Sequence, residues 1–227
     1  MLTIAILSWN AHRTLKNTLE SYRTFGLDKL ATEKIIFFQE ISPLDIQIAN
    51  KYGYHHIGSK TNIGIAQAYK RLIEKSTQPF FLFLENDWLL LDKPDNQISD
   101  GISFLDHNAA DVIRYRSRRF PGEPLWTYQF KGSEYERPTH LLDSVHWTEH
   151  PDESFLEITR YENWYFASSR NANWTNNPTM FRRDFLIDVI LPNIGTRDVE
   201  VDLQPWWEQQ DFVVAQSDGL FTHRRIG

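Results

Sequence analysis

The segment that most constrains the fold is FFLFLENDW at residues 80–88, where an apolar run ends at two carboxylates. A short unbroken apolar run is typical of a strand that is buried on both faces of a sheet. Side chains at i and i+2 of an extended segment point the same way, so Glu85 and Asp87 are expected to face one ligand together. The alternative is that Asp87 caps a turn while Glu85 is solvated.

Earlier segments repeat this pattern and alternate with helical ones. Apolar runs at 2–9, 34–39 and 54–59 predict three further strands. Helices between them are predicted by apolar spacing at Leu15, Leu19 and Tyr22, at 43–52, and at Ile65, Tyr69, Leu72 and Ile73. This order predicts an α/β fold with a Rossmann-like, mostly parallel central sheet and helices on both faces.

Beyond residue 92 the pattern changes. Residues 110–119 predict a fifth strand, and 120–155, which lacks a clear period, predicts a long loop. Helical pieces are predicted at 177–190 and 205–219, before a strand-like end. Neither an internal repeat nor a low-complexity linker marks a boundary, so we predict a single domain over 1–227.

Composition excludes several classes of function. The net charge of −6 disfavours a broad surface for nucleic acid or an anionic membrane. Because the chain has no cysteine, it has no disulfide, thiolate metal site or cysteine nucleophile. The opening MLTIAILSW lacks a basic leader, and no segment reaches about 18 clean apolar residues. We therefore expect a cytoplasmic protein without an integral membrane segment.

Each predicted strand of the first half ends in polar residues. Because ligands of open α/β sheets bind at the carboxyl ends of the strands, these residues are expected on one edge. They are Ser8, Asn10, Gln39, Glu40, Lys60, Asn62, Glu85, Asn86 and Asp87. Two carboxylates without any thiol suit a hard divalent cation, Mn²⁺ or Mg²⁺, that also binds substrate phosphates.

Two stretches resemble a known family. TIAILSWNAHRTLKNTLESY is similar to the opening of inverting glycosyltransferases of the GT-A fold, and NIGIAQAYKRLIEKSTQPFFLFLENDW is similar to their helix and strand that end at the DxD motif. The resemblance covers most of residues 1–92 in order and spacing. It implies that 1–92 is the nucleotide-sugar-binding half and that 93–227 is the acceptor-binding half.

The resemblance also implies roles for single residues. The implied nucleotide-binding residues are Ser8, Asn10, Gln39, Glu40, Asn62, Gly64, Glu85 and Asn86. Among them, Gln39 or Glu40 takes the place of the acid that reads the base, and Glu85 contacts the ribose. Asp87 holds the metal. The Glu-x-Asp motif and the Gln-Glu pair both depart from the family pattern, which leaves the identity of the nucleobase open.

A catalytic base and a second metal ligand are implied for the last third. The family places a carboxylate base on a late helix upstream of a glycine, and Gly219 in PWWEQQDFVVAQSDG indicates Glu208, with Asp211 as the rival. His223 lies just past this point and would complete the metal site. Without the resemblance, Glu208 and Asp211 are ordinary acids of an exposed helix, and His223 is structural.

Two arginine-bearing segments have open roles. In RYRSRRF, Arg114, Arg116 and Arg118 fall on one face of a predicted strand. They would either bind a phosphate or an anionic acceptor, or keep other chains from pairing with a solvated edge strand. Arg224 and Arg225 would either neutralise a diphosphate or form a basic tail.

These features predict a metal-dependent hexosyltransferase that moves a sugar from a nucleotide sugar, preferably UDP-linked, to a carbohydrate or glycan acceptor hydroxyl, with inversion. One alternative is a sugar-nucleotide nucleotidyltransferase, although SWNAHRTL has no glycine where that class carries a Gly-rich loop. Another is a non-catalytic carbohydrate-binding relic of the fold.

Overall fold

Ten strands form one sheet in the computed structural model, which describes residues 1–122, 150–154, 156–196 and 198–224. The strands are β1 Leu2–Trp9, β2 Glu33–Gln39, β3 His55–Gly58, β4 Phe80–Glu85, β5 Trp88–Leu90, β6 Val112–Arg116, β7 Thr159–Tyr161, β8 Trp164–Ser168, β9 Thr179–Arg182 and β10 Val213–His223. The helices are α1 His12–Phe25, α2 Leu27–Leu30, α3 Pro43–Tyr52, α4 Ile65–Lys75, α5 Asp95–Asp106, α6 Pro151–Ser154, α7 Arg183–Phe185 and α8 Val199–Trp207. A π turn at Leu186–Ile190 extends α7.

The sheet has the order β3-β2-β1-β4-β9-β6-β10-β8-β7, and β5 pairs with the end of β10. Strands β3, β2, β1 and β4 are parallel neighbours. Strand β9 is antiparallel to both β4 and β6, and β6 is parallel to β10. Strands β1, β2, β3, β4, β6 and β10 therefore all point the same way, which confirms the predicted mostly parallel α/β sheet.

Two hydrophobic clusters cover the two faces of the sheet. Alternate residues of β1 separate between them: Ile4 and Ile6 pack with α1, α3 and α5, while Ala5 and Leu7 pack with α4, the π turn and α8. This alternation follows from the two-residue period of a strand. No helix within the described residues is both long and apolar enough to cross a bilayer.

The last third departs from the prediction. The helix predicted at 205–219 is wrong beyond Trp207, since α8 ends there and residues 213–223 form β10. The helix predicted at 177–190 begins with strand β9 and becomes helical only at Arg183. Both are buried apolar segments, for which periodicity does not separate a strand from a helix. Most of the loop predicted at 120–155 lies outside the described residues.

The carboxyl ends of the co-directional strands β1, β2, β3, β4, β6 and β10 define one side of the sheet, called here the carboxyl edge. The residues that end these strands are Trp9, Gln39, Gly58, Glu85, Arg116 and His223. A register shift between Gln216 and Phe221 bends β10 before it reaches this edge. Gly219 lies in the shift at φ +83°, and a Cβ there would overlap the carbonyl oxygen of Arg116. The bend thus requires glycine.

Candidate active site at the carboxyl edge

Asp87 and His223, the two predicted metal ligands, meet at the carboxyl edge. The antiparallel pairing of β5 with β10 puts His223 opposite Trp88, and Oδ2 of Asp87 lies 3.0 Å from Nε2 of His223. Both side chains are largely buried. Oδ1 of Asp87 is buried and has no hydrogen-bond partner in the described part of the chain. An unpaired buried carboxylate oxygen is costly, and a divalent cation is a group that would satisfy it.

The donor set fits a cation such as Mn²⁺, which accepts both carboxylate oxygen and imidazole nitrogen. The described residues contain no group of three or more His, Asp or Glu side chains that could hold a metal by themselves. Cations that work on phosphates are commonly bound through one or two carboxylates, with substrate oxygens and water as the other ligands. The metal assignment of Asp87 and His223 stays a prediction.

Aromatic and cationic groups support this pair. The indole of Trp88 stacks on the imidazole of His223 with centroids 4.8 Å apart, and the guanidinium of Arg116 lies 5.5 Å from the Trp88 ring. The Tyr22 hydroxyl donates a 2.7 Å hydrogen bond to the carbonyl of Trp88. Burial, with a smaller contribution from Asp87, raises the pKa of Tyr22 well above its ordinary value. Tyr22 therefore stays neutral and holds the backbone beside Asp87.

A second polar group lies where β1 and β2 end. Nε1 of Trp9 donates to Oε2 of Glu40 at 2.7 Å, and Nδ2 of Asn10 donates to the same oxygen at 3.2 Å. Asn10 and Glu40 both adopt positive φ, at 47° and 55°. Trp9 keeps 53% of its surface exposed although it ends a central strand. The structure thus presents an indole that is about half exposed beside a fixed carboxylate.

Gln39 and Glu40, which the sequence left as alternatives, have different surroundings. Gln39 is buried; its Oε1 accepts from the Ile63 N–H at 2.8 Å and its Nε2 donates to the Gly64 carbonyl at 3.0 Å. Oδ1 of Asn62 accepts from the Gly64 N–H at 2.9 Å. Gln39 and Asn62 therefore hold the loop that starts α4, whereas Glu40 faces solvent.

The other predicted nucleotide contacts lie at the same edge. Ser8 is buried within β1, and Glu85 is half-buried opposite Leu7. The Asn86 N–H donates to the Leu7 carbonyl at 3.1 Å, and its own carbonyl accepts from the Thr18 hydroxyl at 2.6 Å. The backbone at Asn86 is therefore tied to β1 and α1, which positions Asp87.

The structure does not bring Glu208 and Asp211 to this edge. Glu208 follows the last residue of α8, and Asp211 precedes β10, so both lie where β10 begins. His223 lies at the other end of this strand of 11 residues. Asp211 accepts from the Ser168 hydroxyl at 2.6 Å, and Glu208 is an exposed helix-end residue. Their placement on the opposite side of the sheet disfavours a role beside Asp87.

Glu200, which the sequence analysis missed, lies at the opposite end of α8. Its Oε1 accepts from the Asn176 N–H at 2.9 Å and from the Thr175 hydroxyl at 3.2 Å. Thr175 and Asn176 shortly precede Thr179, the first residue of β9. Because β9 is antiparallel to β4 and β6, Thr179 pairs with residues in the later parts of those strands, Phe83 and Arg114. Glu200 is therefore a carboxylate of the carboxyl edge.

The environment of Glu200 suits proton transfer. The side chain is open to solvent, yet the surrounding protein desolvates the carboxylate and raises its pKa. The hydrogen bonds from Asn176 and Thr175 and the charge of Arg114 oppose that rise. A carboxylate with a raised pKa in an accessible position is a candidate general base. The acids of DVEVD at 198–202, at the capped start of α8, were the available signal for Glu200. The expectation of Glu208 was counted back from Gly219, which lies in β10.

No protein-family pattern and no curated protein matches the sequence. Solved structures do match its fold. A TarS fragment, residues 1–349, from S. aureus superposes with a TM-score of 0.63 at 14% identity, over 98% of this chain and 60% of that one. The same fragment has been crystallised with UDP-GlcNAc. The mannosyltransferase PcManGT from Pyrobaculum calidifontis, in complex with GDP-Man and Mn²⁺, gives a TM-score of 0.56 at 11% identity, over 87% and 49% of the chains.

A nucleotidyl transferase from Methanothermobacter thermautotroptrophicus also matches, with a TM-score of 0.52 at 11% identity, over 99% of this chain and 88% of that one. At such identities the likeness is one of fold. The chain spans about 60% of the TarS fragment that it matches. The chain therefore has the fold of GT-A glycosyltransferases.

Proposed function

We propose that this chain is a divalent-metal-dependent glycosyltransferase that transfers a sugar from a nucleotide sugar, preferably UDP-linked, to a carbohydrate hydroxyl with inversion. The observation that carries the proposal is the contact between Asp87 and His223, which leaves Oδ1 of Asp87 buried and without a hydrogen-bond partner among the described residues, at the carboxyl edge of a GT-A sheet. Glycosyltransferases of the same fold have been crystallised with UDP-GlcNAc and with GDP-Man and Mn²⁺.

Asp87 and His223 would hold the cation, and oxygens of the donor diphosphate would complete its ligands. A divalent cation at this position supplies positive charge that offsets the negative charge on the departing diphosphate. Trp88 and Tyr22 keep the two side chains in place through the stacking and the hydrogen bond already described.

The nucleobase would stack on the exposed indole of Trp9 and donate to Glu40. Oε2 of Glu40 already accepts from Trp9 and Asn10, whereas no described residue donates to Oε1. One available carboxylate oxygen matches the single ring N–H of uracil. Guanine presents two adjacent donors, so this arrangement supports UDP over GDP.

Glu200 replaces Glu208 as the proposed general base. In an inverting transfer the acceptor hydroxyl oxygen forms a bond to the anomeric carbon while the bond from that carbon to the diphosphate oxygen breaks. The hydroxyl proton passes to the Glu200 carboxylate, and the diphosphate keeps the electron pair of the broken bond. Desolvation raises the pKa of Glu200, which strengthens it as a proton acceptor.

A nucleotidyltransferase is the second candidate because a structure of that class matches the fold. A thermal-shift screen separates the candidates: UDP-sugars, GDP-sugars, nucleoside triphosphates and free sugars are each added with and without Mn²⁺. Glycosyltransferase function predicts a Mn²⁺-dependent shift with UDP-sugars that exceeds every other shift. A dominant response to nucleoside triphosphates would favour the second candidate, and a response to free sugars alone would favour a carbohydrate-binding relic.

A further inference from the structure

Two cationic side chains lie over the ring of Tyr165, a buried residue of β8, near the carboxyl edge. The guanidinium carbon of Arg118 lies 4.7 Å from the centre of the Tyr165 ring, and that of Arg160 lies 5.8 Å from the same centre. Arg119, the residue after Arg118, is exposed, and its guanidinium carbon lies 5.2 Å from the centre of the Phe120 ring. We call Arg118, Arg119, Arg160 and Tyr165 the arginine cluster.

Two different chain segments build the arginine cluster. Arg118 follows β6, where its N–H donates to the Asp218 carbonyl at 2.8 Å and its Nη1 lies 3.4 Å from the Tyr165 hydroxyl. Arg160 lies on β7 directly opposite Tyr165, and its Nε donates to the Glu162 carbonyl at 2.7 Å. Backbone contacts therefore hold both arginines in place before any ligand binds.

Asp218 balances part of this charge. Asp218 pairs with Arg118 at 3.1 Å and is itself 67% exposed. No ion pair joins Arg119 or Arg160 to a carboxylate of the described residues. A chain of net charge −6 thus places two guanidinium groups over one ring and a third on the residue next to Arg118, and Asp218 forms an ion pair with one of the three.

Edge protection explains only part of this arrangement. Strand β7 ends the sheet, and charged residues such as Arg160 are common on edge strands because they prevent pairing with other chains. Arg118 and Arg119 lie beyond the end of β6, which is an interior strand. The charges of Arg118 and Arg119 therefore do not protect a sheet edge, and their position needs a different explanation.

The arginine cluster lies close to the candidate metal centre. Arg116, which contacts Trp88 of that centre, is two residues before Arg118. Two residues of extended chain span about 7 Å. A group bound at the arginine cluster would therefore belong to a ligand that also reaches the carboxyl edge, on the side of the sheet away from Trp9 and Glu40.

We propose that the acceptor is an anionic carbohydrate whose phosphate or carboxylate group binds at Arg118, Arg119 and Arg160. Guanidinium groups bind oxyanions through charge-assisted and often bidentate hydrogen bonds. Tyr165 positions two of these cations and offers its hydroxyl beside Arg118. This inference rests on the proposed glycosyltransferase function, since it identifies the substrate class of the same site.

The test measures acceptor binding by calorimetry on the full chain with saturating UDP and Mn²⁺. Glucose 6-phosphate, glucuronate and glucose are titrated as probes of a phosphate, a carboxylate and a neutral sugar. We expect at least one anionic sugar to bind more tightly than glucose, and Arg160→Gln to weaken that binding about tenfold. Arg71→Gln, which alters an exposed arginine on α4, is the matched control and should change nothing.

A second variant tests the charge argument in the opposite direction. Asp218→Asn removes the acid that competes for Arg118, so we expect anionic sugars to bind about two- to fivefold tighter. Raised salt should weaken anion binding in every variant. Equal binding of all three sugars, or unchanged anion affinity in Arg160→Gln, would overturn the inference.

Failure of the proposed function gives a different result. If UDP with Mn²⁺ does not bind, the same sugars are titrated without nucleotide, and dependence on Arg160 and Asp218 still reports the anion site. If UDP binds but Arg160→Gln has no effect, the glycosyltransferase proposal stands and the anionic acceptor is rejected. A preference for glucose 6-phosphate identifies phosphate as the group, and a preference for glucuronate identifies carboxylate.

Discussion

Oδ2 of Asp87 lies 3.0 Å from Nε2 of His223, although the two residues belong to strand ends far apart in the sequence. Only the bend in β10 and its pairing with β5 create this contact. If the pair holds a cation, Asp87→Asn should abolish Mn²⁺-dependent UDP binding in calorimetry, because the amide lacks the charge that the cation needs. Asp106→Asn, at an exposed position on α5, is the control. Unchanged Mn²⁺ dependence in the Asp87 variant would contradict the metal assignment.

Opposite ends of α8 supply a matched pair of variants for the catalytic base. We expect Glu200→Gln to keep UDP affinity and to lower turnover by about two to four decades, because the amide cannot accept the proton. Glu208→Gln removes a carboxylate from the other end of the same helix and should transfer sugar at nearly the wild-type rate. Turnover is measured as the rate of UDP release from the donor in the presence of a sugar that serves as acceptor. The reverse pattern would restore Glu208 as the base.

The raised pKa of Glu200 predicts a pH-dependent stability. The folded chain retains this proton to a higher pH than the unfolded chain, so the contribution of Glu200 to stability declines as pH rises through the folded pKa. Glu200→Gln keeps an acceptor for the Asn176 N–H and carries no charge. In urea titrations the variant should be more stable than wild type near neutral pH, with the difference vanishing below about pH 4. A difference that is constant with pH would refute this cause.

The exposed indole of Trp9 predicts a graded effect on nucleotide affinity. Stacking of a base on an aromatic ring is worth about 1–3 kcal/mol by alanine substitution. We expect Trp9→Ala to weaken UDP binding by at least about fivefold. Trp9→Phe keeps a ring but loses the hydrogen-bond donor to Glu40, so its UDP affinity should lie between those of the wild type and Trp9→Ala. Calorimetry that finds Trp9→Ala equal to wild type would exclude the stacking role.

Two glycines with nearly the same φ separate backbone strain from steric overlap. Gly26 has φ +88° and open space where a Cβ would lie, whereas Gly219 has φ +83° and the Arg116 carbonyl at that place. Gly26→Ala should cost about 1–2 kcal/mol of unfolding free energy, from the left-handed conformation alone. Gly219→Ala should cost about 1–3 kcal/mol more because of the overlap. Equal losses in urea denaturation would show that overlap with the Arg116 carbonyl adds nothing to the cost of the left-handed backbone at Gly219.

Residues 1–92 were predictable because their signals are local. The apolar runs of β1, β2 and β4 and the helical spacing of Leu15, Leu19 and Tyr22 each lie within a few residues, and parallel crossovers then follow from general rules. Polar residues at the strand ends had to share one edge for the same reason. The structure adds that Gln39 supports the loop before α4, while Glu40 remains exposed beside Trp9.

The sequence by itself determined the α/β fold and the carboxyl edge, because burial on both faces of the sheet selects apolar runs and polar ends. Only the tertiary structure decided which distant residues join that edge. Strand β9 inserts between β4 and β6, α8 runs from Glu200 at this edge to Glu208 at the other, and β10 returns His223 to Asp87. These pairings depend on long-range contacts and on chain direction, which no local pattern of residues encodes.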